Sequence, residues 1–128
     1  MKIVIELQPV TKKNSQMILM NRKTGRPFIS PSAKYKAYEK AAGYYLMPCQ
    51  PDDPIDYPVN VECVYYMKDR RRVDLVNLQE ATLDILVKWG VLKDDNSKIV
   101  VSMDGSRVDY DKDRPRTEIT ITQSGPYR

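Results

Sequence analysis

Apolar and polar positions alternate from residue 2 to residue 8, with Ile3 and Ile5 on one side, and Pro9 closes the run, so the chain opens on a predicted strand. Met17-Ile18-Leu19-Met20 and Pro27-Phe28-Ile29 are short apolar runs flanking Asn21-Arg22-Lys23-Thr24-Gly25, the pattern of a hairpin with a basic tip. Ser30-Pro31 offers an N-cap followed by proline at the first helical position. Tyr38, Ala41, Ala42, Tyr45 and Leu46 then recur at helical spacing, which predicts a helix over 31–46. Residues 48–58 are rich in Pro and Asp and read as an exposed connection. Val59, Val61, Cys63, Tyr65 and Met67 make one apolar face of a strand that runs into Lys68-Asp69-Arg70-Arg71-Arg72. A second helix is predicted over 74–89, stopped by Gly90, and strands over 98–103 and 117–122, with Asp104-Gly105-Ser106-Arg107 as a turn between them. The expected fold is α/β (α+β), a single domain with a mixed sheet of four or five strands and two main helices.

Composition narrows the chemistry. At 128 residues the chain fits one core, and no stretch approaches the roughly 18 apolar residues of a membrane helix. The opening MKIVIELQPV reads as a strand rather than the apolar centre of a signal peptide, so the expectation is a cytoplasmic protein without a membrane partner. There is no histidine, which removes His-dependent general bases, Ser-His-Asp triads and His metal ligands. Cys49 and Cys63 form no CxxC pair and are too few for a disulfide scaffold, so any metal must be held by oxygen. The net charge of +4 is mild, but its distribution is not even. Basic residues gather at Lys12-Lys13, at Arg22, Lys23 and Arg26, at Lys68 with Arg70–Arg72, and at Lys112, Arg114 and Arg116, with acidic residues between the last two groups. Such a pattern suits a site that attracts phosphates and keeps carboxylates at its centre.

At about 100° per residue, Asn77, Glu80, Asp84 and Lys88 share one narrow stripe of the second helix, with Asp74 near its edge. Leu75, Leu78, Thr82, Ile85, Leu86 and Trp89 fill one flank and Val76, Leu83 and Val87 another, so most of the helix is expected to be buried. Desolvated carboxylates need a basic partner or a cation. Read alone, the stripe is equally a solvent face, with Asp84 and Lys88 paired at i, i+4. Beyond Gly90, Asp94-Asp95-Asn96 sits on a loop leading into a strand. It reads either as turn chemistry or, with an acid entering the helix, as oxygen ligands for a hard cation such as Mg²⁺.

The run Asp69-Arg70-Arg71-Arg72-Val73-Asp74-Leu75-Val76-Asn77-Leu78-Gln79, followed by Asp84-Ile85-Leu86 and by Gly90-Val91-Leu92-Lys93-Asp94-Asp95, resembles the RusA family of Holliday junction resolvases. The likeness is tightest over 68–100 and reaches Lys13-Asn14, residues 32–38 and the C-terminal strand, so it treats 1–128 as one RusA-like domain. It implies a small homodimer that binds four-way DNA junctions and nicks two strands symmetrically in recombination and repair. It also implies Mg²⁺, or Mn²⁺, held by aspartates, and carriage by a prophage. Residue by residue, Asp74 matches the first essential aspartate of the family's Asp-x-Asp-Asn segment, Asn77 its asparagine, and Asp95 the essential aspartate of an Asp-Asp loop, with Asp94 beside it. Val76 stands where the second aspartate is usual, and Glu80 where the best-known branch has a lysine.

Glu80 lies one turn beyond Val76 and about 40° around the helix, close enough for its longer side chain to return a carboxylate. The expectation is therefore that Asp74, Asp95 and Glu80 are catalytic and hold the metal, with Asp84 and Asp94 as further ligands. Lys13, Asn14, Arg70, Arg71, Arg72 and Asn77 are the expected DNA-binding residues. Two alternatives stay open: a branched-DNA-binding protein whose catalysis is weakened through Val76 and Glu80, and a nuclease acting on forks, flaps or duplex.

Overall fold

The computed structural model describes residues 1–12, 16–31 and 33–125. Its strands are β1 (Lys2–Ile5), β2 (Gln16–Met20), β3 (Pro27–Pro31), β4 (Val59–Met67), β5 (Val100–Ser102), β6 (Arg107–Tyr110) and β7 (Arg116–Gln123); its helices are α1 (Ala33–Leu46) and α2 (Leu75–Lys88). The main sheet runs β1-β7-β4, with β5 and β6 both on the far edge of β4. β7 lies antiparallel to β1 and β4, whereas β5 and β6 lie parallel to β4, so the sheet is mixed as expected. β2 and β3 form a separate antiparallel hairpin.

β4 fixes which face is inside. Val61, Cys63, Tyr65 and Met67 are buried, and in register with them lie Ile119 and Ile121 of β7 and Ile3 and Ile5 of β1. Tyr38, Ala42 and Leu46 of α1 and Leu78, Ile85 and Leu86 of α2 join the same cluster. Burying each such side chain is worth about 1.5–3 kcal/mol, which makes this layer of helices on sheet the main source of cohesion. The Tyr65 and Thr82 hydroxyls hydrogen-bond at 2.8 Å, tying α2 to the central strand. α1 reaches α2 through Gly43, where a Cβ would come within 2.4 Å of the Trp89 ring, and through the Trp89 indole N–H, which donates to the Glu39 carbonyl at 3.0 Å.

Two expectations are corrected here. Pro31 does not open α1; it ends β3 opposite Gln16, and α1 begins at Ala33, because a strand end tolerates a residue without an N–H. The turn expected at 104–107 is shorter, and Arg107 starts β6. All four residues of β6 are exposed, so no burial pattern marked it, and it exists because the edge of β4 offers it hydrogen bonds.

Candidate active site

α2 ends where Gly90, at φ +74°, lets the Gly90 N–H reach the Val87 carbonyl at 3.1 Å and the Val91 N–H reach the Leu86 carbonyl at 2.9 Å. The chain then turns back. The Ile55 N–H donates to the Val91 carbonyl and the Lys93 N–H to the Ile55 carbonyl, both at 2.9 Å, and Ile55 itself is buried. This anchor presents Asp94 and Asp95 on an exposed loop. The Asp94 carboxylate accepts the Asp95 N–H at 2.7 Å and the Asn96 side-chain amide at 3.2 Å, so the turn reading holds for Asp94. The Asp95 carboxyl is raised above its ordinary 3.8, first by burial, then by its hydrogen bond with Asp94, and then by the negative charges of Asp84 and Asp94. Acids from α2 and from the following loop thus act on one another.

The head of α2 is separate. Asp74 is the N-cap residue, in extended backbone, yet its carboxylate does not cap the helix; it accepts the Asn77 side-chain amide at 3.2 Å. Ten residues of helix place Asp74 about 15 Å along the axis from Asp84, and Asp74 is not among the charges that shift Asp95. Glu80 is exposed on the stripe between them. Among the described residues no group of three or more acidic or cysteine side chains is gathered closely enough to hold a metal ion by itself. Mg²⁺, however, is commonly held by one or two carboxylates together with water and substrate phosphate.

α2 is not enclosed as expected. Val76 is 68% exposed, because the fold has only two layers and the outer side of the helix faces solvent. Nor do Asp84 and Lys88 pair with each other. Asp84 sits 3.6 Å from the Lys12 ammonium, and Lys88 pairs with Glu39 of α1. Lys12, whose ammonium also lies 5.9 Å from the Tyr35 ring centroid, is the site cation that the sequence did not single out; it stood out only as half of a basic pair after the first strand. Lys13 and Asn14 lie outside the described residues.

The arginine run emerges from β4 between two clefts. One, of about 350 Å³, is lined by residues 69–73 and by Val108, Asp109 and Tyr110; the other, of about 200 Å³, includes Lys34, Lys68, Arg71 and Arg72. The Arg70 guanidinium lies 4.6 Å from the Tyr110 ring centroid. Asp69 accepts the Arg71 N–H at 3.1 Å and lies 3.6 Å from the Arg71 guanidinium, whose side chain is 90% exposed. Among the described residues Arg70 and Arg72 are in no ion pair. The basic group near the C-terminus behaves differently. Arg116 is held by Glu118 at 2.7 Å and Asp111 at 2.9 Å over the Tyr66 ring, and Arg114 pairs with Glu6. Burial pushes the Cys63 thiol up to about 12, which keeps it inert.

Residues 6–122 match the family described as Endodeoxyribonuclease RusA. The chain belongs to the RusA family. It is 33% identical over 120 residues to the crossover junction endodeoxyribonuclease of Enterobacteria phage 82, covering 91% of this chain and 92% of the relative. It is 32% identical, with the same coverage, to the protein of that name from Escherichia coli K12. A third relative so named, from Aquifex aeolicus, is 31% identical over 88 residues, 69% of this chain and 66% of its own length. The resemblance read from the 68–100 stretch is thereby established across the domain. In this member of the family, Asp74 and Asn77 are in contact, Asp94 and Asp95 share the loop beyond α2, and the arginines border the head of α2.

Proposed function

We propose that this protein is a metal-dependent endonuclease that resolves four-way DNA junctions, in recombination and repair. The observation that carries the reading is the match of residues 6–122 to the RusA endodeoxyribonuclease family, with Asp94 and Asp95 presented together on the exposed loop that follows α2. Family membership and the names of the relatives support the junction as substrate. Asp95 and Asp84 would hold Mg²⁺ or Mn²⁺, with Asp94 orienting the loop and Asp74 and Glu80 as the further acids of the same helix. When bound, the metal neutralises charge on the phosphoryl oxygens and makes an adjacent water more acidic.

This chain's own residues supply the rest. Asp95, as carboxylate, accepts the proton of the attacking water as the new P–O bond forms and the bond to the leaving strand breaks. Arg70, Arg71 and Arg72 hold the backbone phosphates and offset charge on the equatorial oxygens. Lys12 supplies a cation beside Asp84, one turn along α2 from Glu80, which stands where the best-known branch has a lysine.

We further propose a homodimer, since two symmetric cuts call for two sites related by a two-fold axis. Ile18, Leu19, Met20 and Phe28 are exposed on the β2–β3 hairpin, with Ile18 at 75%, more apolar surface than a lone hairpin leaves open without a partner. Sedimentation at several concentrations checks the dimer.

The test is cleavage of a labelled four-way junction with Mg²⁺, with linear duplex as competitor. Wild type should give paired symmetric nicks; Asp95→Asn should bind the junction and cut at least about a hundredfold more slowly. Junctions shifted but left intact by wild type would make the protein a binder only, and equal cutting of duplex would make it a general nuclease. Unchanged cutting by Glu80→Gln would remove Glu80 from the mechanism.

A further inference from the structure

β6 has a surface that the cleavage chemistry does not use. Its residues pair with the last turns of β4, Val108 beside Tyr65 and Tyr110 beside Met67, so Val108 and Tyr110 lie on the helix-bearing side of the sheet. There they are left uncovered, at 40% and 38% exposure, where a tyrosine and a valine on a covered face would be buried. The loop after β4 faces them, and Arg70 stacks on the Tyr110 ring. Between loop and strand lies the cleft of about 350 Å³, which ends at Val73, the residue before Asp74. Its size is at the lower end of the range for small-ligand sites.

The chemistry of the walls points to one kind of occupant. A flat aromatic ring, a guanidinium plane and an aliphatic side chain offer stacking and apolar contact, and Arg71 and Arg72 offer bidentate contacts to phosphate, while the two acids of the lining are answered within the protein, Asp69 by Arg71 at 3.6 Å and Asp109 by the Tyr110 N–H at 2.8 Å. Duplex DNA presents phosphates to such a surface but hides its base faces in the stack. An unpaired base at a branch point shows both. We propose that this cleft binds one unstacked nucleotide at the centre of a branched DNA, its base extending the Arg70–Tyr110 stack and its phosphate held by Arg71 and Arg72. The cleft would thereby register a branch beside the head of α2. This inference deepens the junction reading and rests on it.

The test is a binding cycle without divalent metal, using a synthetic four-way junction, the same junction with abasic residues at the crossover, and a linear duplex. Wild type should lose about tenfold in affinity when the crossover bases are removed, the size expected for one base stacked on an aromatic ring. Tyr110→Leu should show that loss on the intact junction and lose nothing further on the abasic one. Tyr110→Phe should behave as wild type, and all three proteins should bind duplex alike, which also reports that they are folded. Val108→Ser, at a second exposed position, should reproduce part of the loss should Tyr110→Leu prove unstable. Full junction affinity in Tyr110→Leu, or penalties for the side chain and the bases that simply add, would overturn the base site while leaving junction cleavage standing. Absence of junction preference in wild type would overturn both.

Discussion

Charges on the outer face of the sheet and charges around α2 are arranged by opposite rules. On the sheet, Arg116 lies between Glu118 and Asp111, Arg114 meets Glu6, and Lys2 meets Glu118 at 3.4 Å, so each sign is answered by the other. Around α2 the signs are sorted more than paired: of the three arginines at its head only Arg71 meets an acid, Asp69 at 3.6 Å, and toward its tail Lys12 meets Asp84 at 3.6 Å while Asp94 and Asp95 are in no ion pair among the described residues. The first arrangement stabilises the fold and leaves little field for a ligand. The second costs stability and leaves strong local potentials on a surface open to polyanions and cations. Charged runs that look alike in the sequence therefore do different work, and the position of the nearest opposite charge decides which.

The largest effect that separates the two regions should come from Arg116. Its side chain is only 11% exposed, and Arg116→Met strands two carboxylates against the sheet. Thermal unfolding should show a fall in Tm of about 5–10 °C at neutral pH. The hydrogen bond from Arg116 holds the Glu118 carboxyl below its ordinary 4.5 and holds Asp111 low as well. A depressed acid contributes stability above its unfolded value and loses it as pH falls through the folded one, so the gap between wild type and Arg116→Met should begin to narrow below about pH 4.5 and close only below the lowered folded values. A gap that persists in acid would mean that Arg116 acts through its stacking on Tyr66 rather than through its ion pairs.

Much of this arrangement was legible in the sequence, and the limits have physical causes. α2 was placed within a residue at each end because its amphipathic period and the Gly90 stop are local signals. β4 and β7 followed from alternation, since one face of each is buried. β6 was not legible, because a strand exposed at every position has no hydrophobic pattern. Asp74, Asp95 and the arginine run were singled out in the sequence by residue type and by the family resemblance. The partners of the charged stripe were not, because Lys12 reaches Asp84 from the segment after β1, far away in sequence, and Lys88 meets Glu39 where α1 packs on α2 through Gly43 and Trp89. Likewise, the basic residues at 112–116 looked like a phosphate site until the fold set carboxylates beside Arg114 and Arg116.

A smaller effect is expected from the arginines of the loop. Arg71→Ala and Arg72→Ala should leave Tm unchanged, as exposed side chains do, while each weakens junction binding by up to about tenfold. The slope of log affinity against log salt should also fall by about 1 for each lost phosphate contact. Arg114→Ala should show neither change in binding, since its guanidinium is committed to Glu6. Equal losses from Arg114 and Arg71 would dissolve the distinction between paired and sorted charge.

The smallest effect tests the cost of sorting directly. The charged form of Asp95 is disfavoured in the folded protein by burial and by Asp94 and Asp84, so its folded value stands above 3.8. Above that folded value the ionised carboxylate detracts from stability; below 3.8 it is protonated in folded and unfolded chains alike and contributes nothing. Asp95→Asn, the variant expected to slow cutting, should therefore raise Tm modestly at neutral pH and leave it unchanged in acid. Adding Mg²⁺ should reverse the order, because a cation that binds only the folded state stabilises wild type in proportion to its occupancy and finds one ligand fewer in the variant. A lower Tm for Asp95→Asn without metal would show that the carboxylate is held by a favourable partner. Asp95 would then belong with the paired charges of the sheet.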